Sequence, residues 1–163
     1  CAEFISGRQR SNLIEQGYRY DVVEAVLAEQ QNNPAGALRA VQALSAWVAR
    51  EDWSTILQAY ARCVRITRDQ KDINAIDPQL FEDPTEKALF ESLVKAESSQ
   101  RESGSLEDTL NAFLPMIPAV NAFFESVLVM ADDARVRGNR LGMLQRIAAL
   151  TAGVADLSRL EGF

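Results

Sequence analysis

Val127-Leu-Val-Met130-Ala-Asp132-Asp-Ala-Arg135-Val-Arg137-Gly-Asn139-Arg140-Leu-Gly-Met-Leu144 joins an apolar run to two acids. It then sets three arginines among small residues before the apolar pattern resumes. Leu141, Leu144 and Ile147 recur at three-residue steps. That spacing predicts a helix with one face in a core and Arg137, Asn139 and Arg140 at its polar edge. Nothing in the stretch can act as a covalent nucleophile or cage a metal. Its chemistry is that of guanidinium groups, planar and permanently charged forks suited to phosphates, carboxylates and base edges.

Outward from this stretch, nearly every segment keeps the helical period and no alternating strand pattern persists. The first helix is expected to stop near Gln16, with Gly17 beyond it. A second covers about 20–31, with Val22, Val23, Val26 and Leu27 on one face. Asn33-Pro34 opens a third, since asparagine caps well and proline suits the first turn. Its stripe is Leu38, Val41, Leu44 and Val48, with Trp47 beside it. A fourth runs from about Asp52 to Gln70. Asp77-Pro78 and Asp83-Pro84 bracket an extended connection, because each proline drives its predecessor out of the α region.

Asp83-Pro84-Thr85-Glu86 then reads as N-cap, first-turn proline and capping-box glutamate. The helix it opens is expected to bury Leu89, Phe90, Leu93 and Val94. Ser105 caps a helix over 106–114, and Pro115 and Pro118 interrupt the chain. Val120, Phe123, Phe124, Val127 and Leu128 form the next stripe. Asp132 or Asp133 caps a last long helix that reaches Val154 and Leu157. About eight helices make an all-α bundle, read as a helical region over 1–71, a connection over 72–83 and a C-terminal bundle over 84–163.

With 163 residues, 47% of them apolar, the chain can bury a sizeable core. No run approaches the roughly 18 consecutive apolar residues of a membrane span, and no signal-peptide pattern is present, so a cytoplasmic setting without membrane contact is expected. The chain opens without methionine, inside a helical pattern (Phe4, Ile5, then Leu13, Ile14), as a piece of a longer polypeptide would. Cys1 and Cys63 form no convincing disulfide framework and read as free thiols. The net charge of −6 is uneven: residues 1–71 carry net +1, residues 72–108 net −7 and residues 109–163 net zero. No strongly basic stripe is present, although fourteen arginines stand against three lysines.

Chemistry by side chain is correspondingly narrow. The absence of histidine removes the usual general base and the commonest metal ligand. No glycine-rich phosphate loop or nucleophile triad can be assembled, so no catalytic residue, metal site or cofactor site is expected. Arg62, Arg65 and Arg68 step round a helix by about 60° each and share a broad face. That face is either a landing place for a phosphate backbone or a solvated surface paired with Asp69 or Asp72. Tyr18, Arg19 and Tyr20 could stack on splayed bases, or form a turn in which Arg19 pairs with Asp21 or Glu24 and Tyr20 staples the helix. Arg137 and Arg140 could grip RNA or be pinned to a helix terminus. Phe123 and Phe124 read as core, with stacking on a base as the alternative role.

The first stretch, with Phe123-Phe124-Glu125 before it and Ala155-Asp156-Leu-Ser-Arg159-Leu160 after it, resembles the C-terminal end of the bacterial glycyl-tRNA synthetase β subunit. Glu15-Gln-Gly17-Tyr-Arg19-Tyr20-Asp21-Val-Val-Glu24-Ala-Val-Leu27 is similar to that family's helix-turn-helix entry. Ala37-Leu-Arg39-Ala-Val-Gln-Ala43-Leu44, Glu51-Asp52-Trp53 and Tyr60-Ala-Arg62-Cys-Val-Arg65-Ile66 follow in the family's order. Arg65 stands where the family pattern has asparagine, and Gly138 and Gly142 stand in a helix it usually supplies with alanine. The resemblance implies an all-helical anticodon-binding domain of the type shared with arginyl-tRNA synthetase. It implies the anticodon arm of tRNA-Gly and the synthetase α subunit as partners. ATP would serve the whole enzyme, with Arg62, Arg65, Arg68, Tyr18, Arg19, Arg137 and Arg140 as candidates for RNA contact. A helical scaffold that docks other domains without touching RNA is the alternative.

Overall fold

A computed structural model of the chain describes residues 2–163, with side chains from Gly7 onward. Cys1, expected as a free thiol, lies outside the described residues, as do the side chains of Phe4 and Ile5. The described residues contain helices and no strand, as expected of an all-α chain. The helices are α1 (Ala2–Glu15), α2 (Tyr20–Gln30), α3 (Pro34–Val48), α4 (Trp53–Thr67), α5 (Pro84–Ser98), α6 (Leu106–Phe113), α7 (Ile117–Ser126) and α8 (Ala134–Ala148). The chain divides into two compact units. One comprises Cys1–Leu57, Gln100–Asn111 and Thr151–Phe163; the other comprises Gln58–Ser99 and Ala112–Leu150.

In the first unit α2 is the central element, packed against α1, α3 and the 3-10 turn Leu157–Arg159. Val22, Val23, Ala25 and Val26 are wholly buried, each such valine worth about 1.5–3 kcal/mol of apolar transfer. The Asn33 side chain accepts from the Gly36 N–H at 3.1 Å and Pro34 occupies the first turn of α3, as the sequence predicts. Two polar side chains close the unit from inside. Trp47 donates its indole N–H to Glu107 at 2.8 Å, which lets a large ring be buried without an orphaned donor. Gln30, itself 5% exposed, donates to the carbonyls of Gly104 and Val154 at 3.0 and 2.8 Å.

The second unit is built on α5, which packs against α7 and α8. Asp83 and Glu86 form the complete capping box anticipated from the sequence. The buried stripe of α5 is Glu86, Leu89, Leu93 and Ala96. Phe90 and Val94, expected in the core, are half-exposed and exposed. A wholly buried glutamate sets the phase of the helix, and residues three, seven and ten positions on share its face.

Three boundaries differ from expectation, the first being α4, which ends at Thr67 rather than near Gln70. Val127 and Leu128 do not extend α7, which ends at Ser126; Val127 is extended and Leu128 is exposed. Leaving the helix frees the Leu128 carbonyl, and Arg140 donates to it at 2.6 Å. Likewise α8 stops at Ala148 rather than near Leu157, passing through a 3-10 turn (Ala149–Thr151) to Gly153 at φ +75. That left-handed residue ends the helical path and releases the Val154 carbonyl to Gln30.

Residues 72–77 form an extended strap along α8. Gln145 accepts from the Asn74 N–H at 2.9 Å and donates to the Asp72 carbonyl at 2.8 Å. One turn and a half earlier, Asn139 accepts from the Asp77 N–H at 2.6 Å and donates to its carbonyl at 3.1 Å. Between them lies Gly142, where an added Cβ would sit 2.7 Å from the Asn74 carbonyl oxygen and 3.3 Å from Ile76. The glycine therefore admits the strap, at the expense of helix propensity.

Gly142→Ala is expected to lower stability by about 1–3 kcal/mol, seen as a lower urea midpoint, because the backbone of the strap must move. Gly7→Ala, in α1 with nothing within 4 Å of its added Cβ, is expected to be neutral or slightly stabilising in the same measurement.

Candidate nucleic-acid interface

Helix α4 separates an apolar side from a cationic one. Ile56, Leu57, Tyr60 and Cys63 are buried; Arg62 and Arg65 are exposed, and Arg68 is exposed one residue past the last helical residue. Tyr60 holds the helix in place by donating to the Ala148 carbonyl at 2.8 Å and meeting Phe113 edge-on at 5.8 Å. The Arg62 guanidinium carbon lies over the Phe124 ring, 4.4 Å from its centroid. Arg65 donates to Gln58 at 3.2 Å, back along the same helix face. Among the described residues neither Arg62 nor Arg68 makes an ion pair, so the pairing with Asp69 or Asp72 is not formed there. Burial pushes the thiol of Cys63 up to about 12, against a smaller opposing pull from Arg62.

The α8 arginines sit differently. Arg140 is buried, its side chain 8% exposed, with one nitrogen on the Leu128 carbonyl and another 3.1 Å from the wholly buried Glu86 carboxylate. The same Glu86 oxygen accepts from the N–H groups of Glu82 and Asp83, each at 3.1 Å. Arg137 is half-buried and donates to the Ala131 carbonyl at 2.8 Å. Asn139, placed at the polar edge by the sequence, is buried and held by the Asp77 peptide. Arg135 is exposed beside Asp133, which caps the helix; bonds from the Arg135 and Val136 N–H groups hold the Asp133 carboxyl below its ordinary range.

At the turn after α1, Arg19 grips Asp21 with two bonds of 3.0 and 2.6 Å and lies 3.5 Å from Glu161. The Arg19–Asp21 pair is one the sequence anticipated; Glu24 instead pairs with Arg10. Tyr18 is half-buried, and Tyr20 is 66% exposed rather than stapled to the helix.

Sequence reasoning brought three of the seven candidates together, Arg62 and Arg65 on α4 and Arg68 one residue past its end. It missed Phe124 as the support beneath Arg62. The signal was present: adjacent residues on α7 diverge by about 100°, so Phe123 and Phe124 cannot both face one core. Phe123 is wholly buried, and Phe124 meets it edge-on at 5.6 Å from the rim. No cluster of metal-ligating side chains occurs among the described residues, and no helix there is long and apolar enough to cross a membrane.

Residues 56–157 match the family model described as the DALR anticodon binding domain. The chain belongs to that family. The matched DALR span takes in Arg62, Arg65, Arg68, Arg137 and Arg140, and leaves Tyr18 and Arg19 outside. Glycine–tRNA ligase β subunits are similar over almost the whole chain: 36% identity in Cereibacter sphaeroides and 31% in Lactococcus lactis, each over 98% of this chain and 24% of the relative. A glycine–tRNA ligase of Arabidopsis thaliana, named chloroplastic/mitochondrial 2, is 34% identical over 99% of this chain and 15% of its own length. The DALR chain thus spans about a quarter or less of these relatives.

Arg140→Met is expected to cost about 3–5 kcal/mol in chemical denaturation, since it strands the buried Glu86 carboxylate. Adding Glu86→Leu should recover part of that loss, although the capping bonds go with it. Cys63 is expected to label with a thiol reagent at pH 8 far more slowly in folded than in urea-unfolded protein, read by peptide mass mapping, because only the thiolate reacts.

Proposed function

We propose that this chain is the module of a glycine–tRNA ligase β subunit that takes hold of the anticodon arm of tRNA-Gly. The observation that carries the reading is the exposed row Arg62, Arg65 and Arg68 at the C-terminal end of α4, inside the residues matched by the anticodon-binding family. Guanidinium groups in such a row neutralise phosphates and set the position of the strand, while contacts to unstacked loop bases set identity. Arg137 and Arg140 serve architecture in this reading, because backbone carbonyls and Glu86 already occupy their forks. Tyr18 and Arg19 are secondary candidates, with Arg19 committed to Asp21. The relatives' names, glycine–tRNA ligase and its β subunit, support a part in joining glycine to tRNA by the whole enzyme; ATP as co-substrate, an α subunit as partner and a bacterial cytoplasmic setting belong to the same proposal. No step of that chemistry falls to a residue described above.

A second reading has its own observation. Leu128 and Met130 are 71% and 49% exposed on the loop after α7, as a surface that docks another protein would be. A scaffold of this kind would bind RNA neither tightly nor with steep salt dependence.

Titration of the chain with a tRNA-Gly anticodon stem-loop, and with one carrying altered anticodon bases, separates the readings. Preferential binding that weakens as salt rises is expected. Arg65→Ala and Arg68→Ala should each weaken binding to both hairpins alike and reduce the salt slope by about one phosphate contact. Absence of binding at low salt would sink the RNA reading.

A further inference from the structure

Three of the arginine–ring contacts among the described residues are instructive: Arg50 lies over Trp47 at 4.5 Å, Arg62 over Phe124 at 4.4 Å and Arg146 over Phe90 at 5.8 Å. Two of these arginines are also committed to a carboxylate. Arg50 grips Asp52 with two bonds of 2.9 Å, and Arg146 is paired with Glu97. Arg62 has the ring and, among the described residues, no carboxylate. A guanidinium has two faces and a donor edge. In Arg62 one face rests on Phe124, the residue is exposed, and the fork carries no carboxylate.

We propose that Arg62 and Phe124 form a stacking platform for one unpaired nucleobase of the bound RNA. The base lies on the outer face of the guanidinium, and Phe124 holds that plane in place from beneath. The inference rests on the RNA-binding reading above and deepens it, since it assigns base contact to Arg62 and leaves Arg65 and Arg68 to phosphates. Planar guanidinium groups stack on splayed bases as aromatic rings do, and the attraction between cation and ring face fixes the arginine before RNA arrives. A lysine would keep the charge and lose the plane. Phe124 is suited to this because it is anchored: it meets the wholly buried Phe123 edge-on at 5.6 Å, with an interplanar angle of 77°. Phe124 is therefore a positioning residue, and Arg62 is the one that touches the ligand.

The test uses the chain and anticodon stem-loops of tRNA-Gly, intact or with one loop nucleotide at a time made abasic. In the parent, one abasic position is expected to lower affinity about ten-fold, in the range of a lost base stack. Arg62→Lys should lose a comparable factor on the intact loop, become insensitive to that abasic position and keep the parent's salt slope. Phe124→Leu should behave in the same way, and Phe124→Tyr, which keeps the ring, should restore the parent pattern. Arg62 is exposed, so Arg62→Lys keeps the test meaningful even where a Phe124 variant unfolds. The proposal is overturned if Arg62→Lys binds the intact loop as the parent does, or stays as sensitive to every abasic position. Failure of the parent to bind any hairpin at low salt would instead overturn the RNA-binding reading, and this inference with it.

Discussion

The Glu86–Arg140 pair is the constraint on which the second unit depends. Glu86 is wholly buried, and one of its oxygens accepts from the N–H groups of Glu82 and Asp83 and from Arg140. That single atom fixes where α5 begins, which face of α5 is inside, and where α8 lies against it. A second nitrogen of Arg140 holds the Leu128 carbonyl, so the exit of the chain from α7 is tied to the same point. Removing two charges from water is costly, and attraction between them offsets the cost only when further hydrogen bonds complete the arrangement. Here the carboxylate caps a helix as well as pairing, and the guanidinium satisfies a backbone oxygen as well as a charge, but the second Glu86 oxygen and the Arg140 Nε are buried without a hydrogen-bond partner. We regard the pair as a device for register rather than as a reservoir of stability, because an apolar pair of similar volume is often no less stable.

Helix α8 carries a second set of restraints on a separate stripe. Asn139, Gly142 and Gln145 recur at three-residue intervals and receive the strap at 72–77, two through amides matched to peptide groups and one through the absence of a side chain. Leu144 and Ile147, wholly buried, are the apolar stripe. The helix is therefore used on two sides, as core and as a ladder for an extended segment whose backbone would otherwise lack partners. The two glycines that make α8 a poor helix by propensity follow from the second use: at Gly138 and Gly142 an added Cβ would meet Asn74 at 3.3 and 2.7 Å.

Local chemistry made much of the fold legible. Asn33-Pro34 and Asp83-Pro84-Thr85-Glu86 announce helix starts because capping is an interaction among neighbours, and the structure has both. Val127-Leu128 and the segment 149–157 were not legible. Their apolar residues fit a helical stripe, and only distant side chains, Arg140 and Gln30, give their freed carbonyls a reason to leave it. The site divides along the same line. The row Arg62, Arg65, Arg68 follows from three-residue spacing along α4 and just past its end. The burial of Arg140 and the placement of Phe124 under Arg62 depend on contacts across 54 and 62 residues of sequence, which periodicity does not encode.

Gln30 has a consequence for the order in which the protein can be assembled. Its amide joins the end of α2 to Gly104 and to Val154, and α2 also packs against the 3-10 turn at Leu157–Arg159. During synthesis the valine face of α2 emerges long before either of those partners exists. Over a hundred residues must leave the ribosome before residues 154–160 can cover it, whereas the second unit has its last strand of chain by Leu150. The unit whose helices come first is thus the one that closes last: α1 and α3 can pack on α2 early, but the side that meets Leu157–Arg159 waits for the end of the chain.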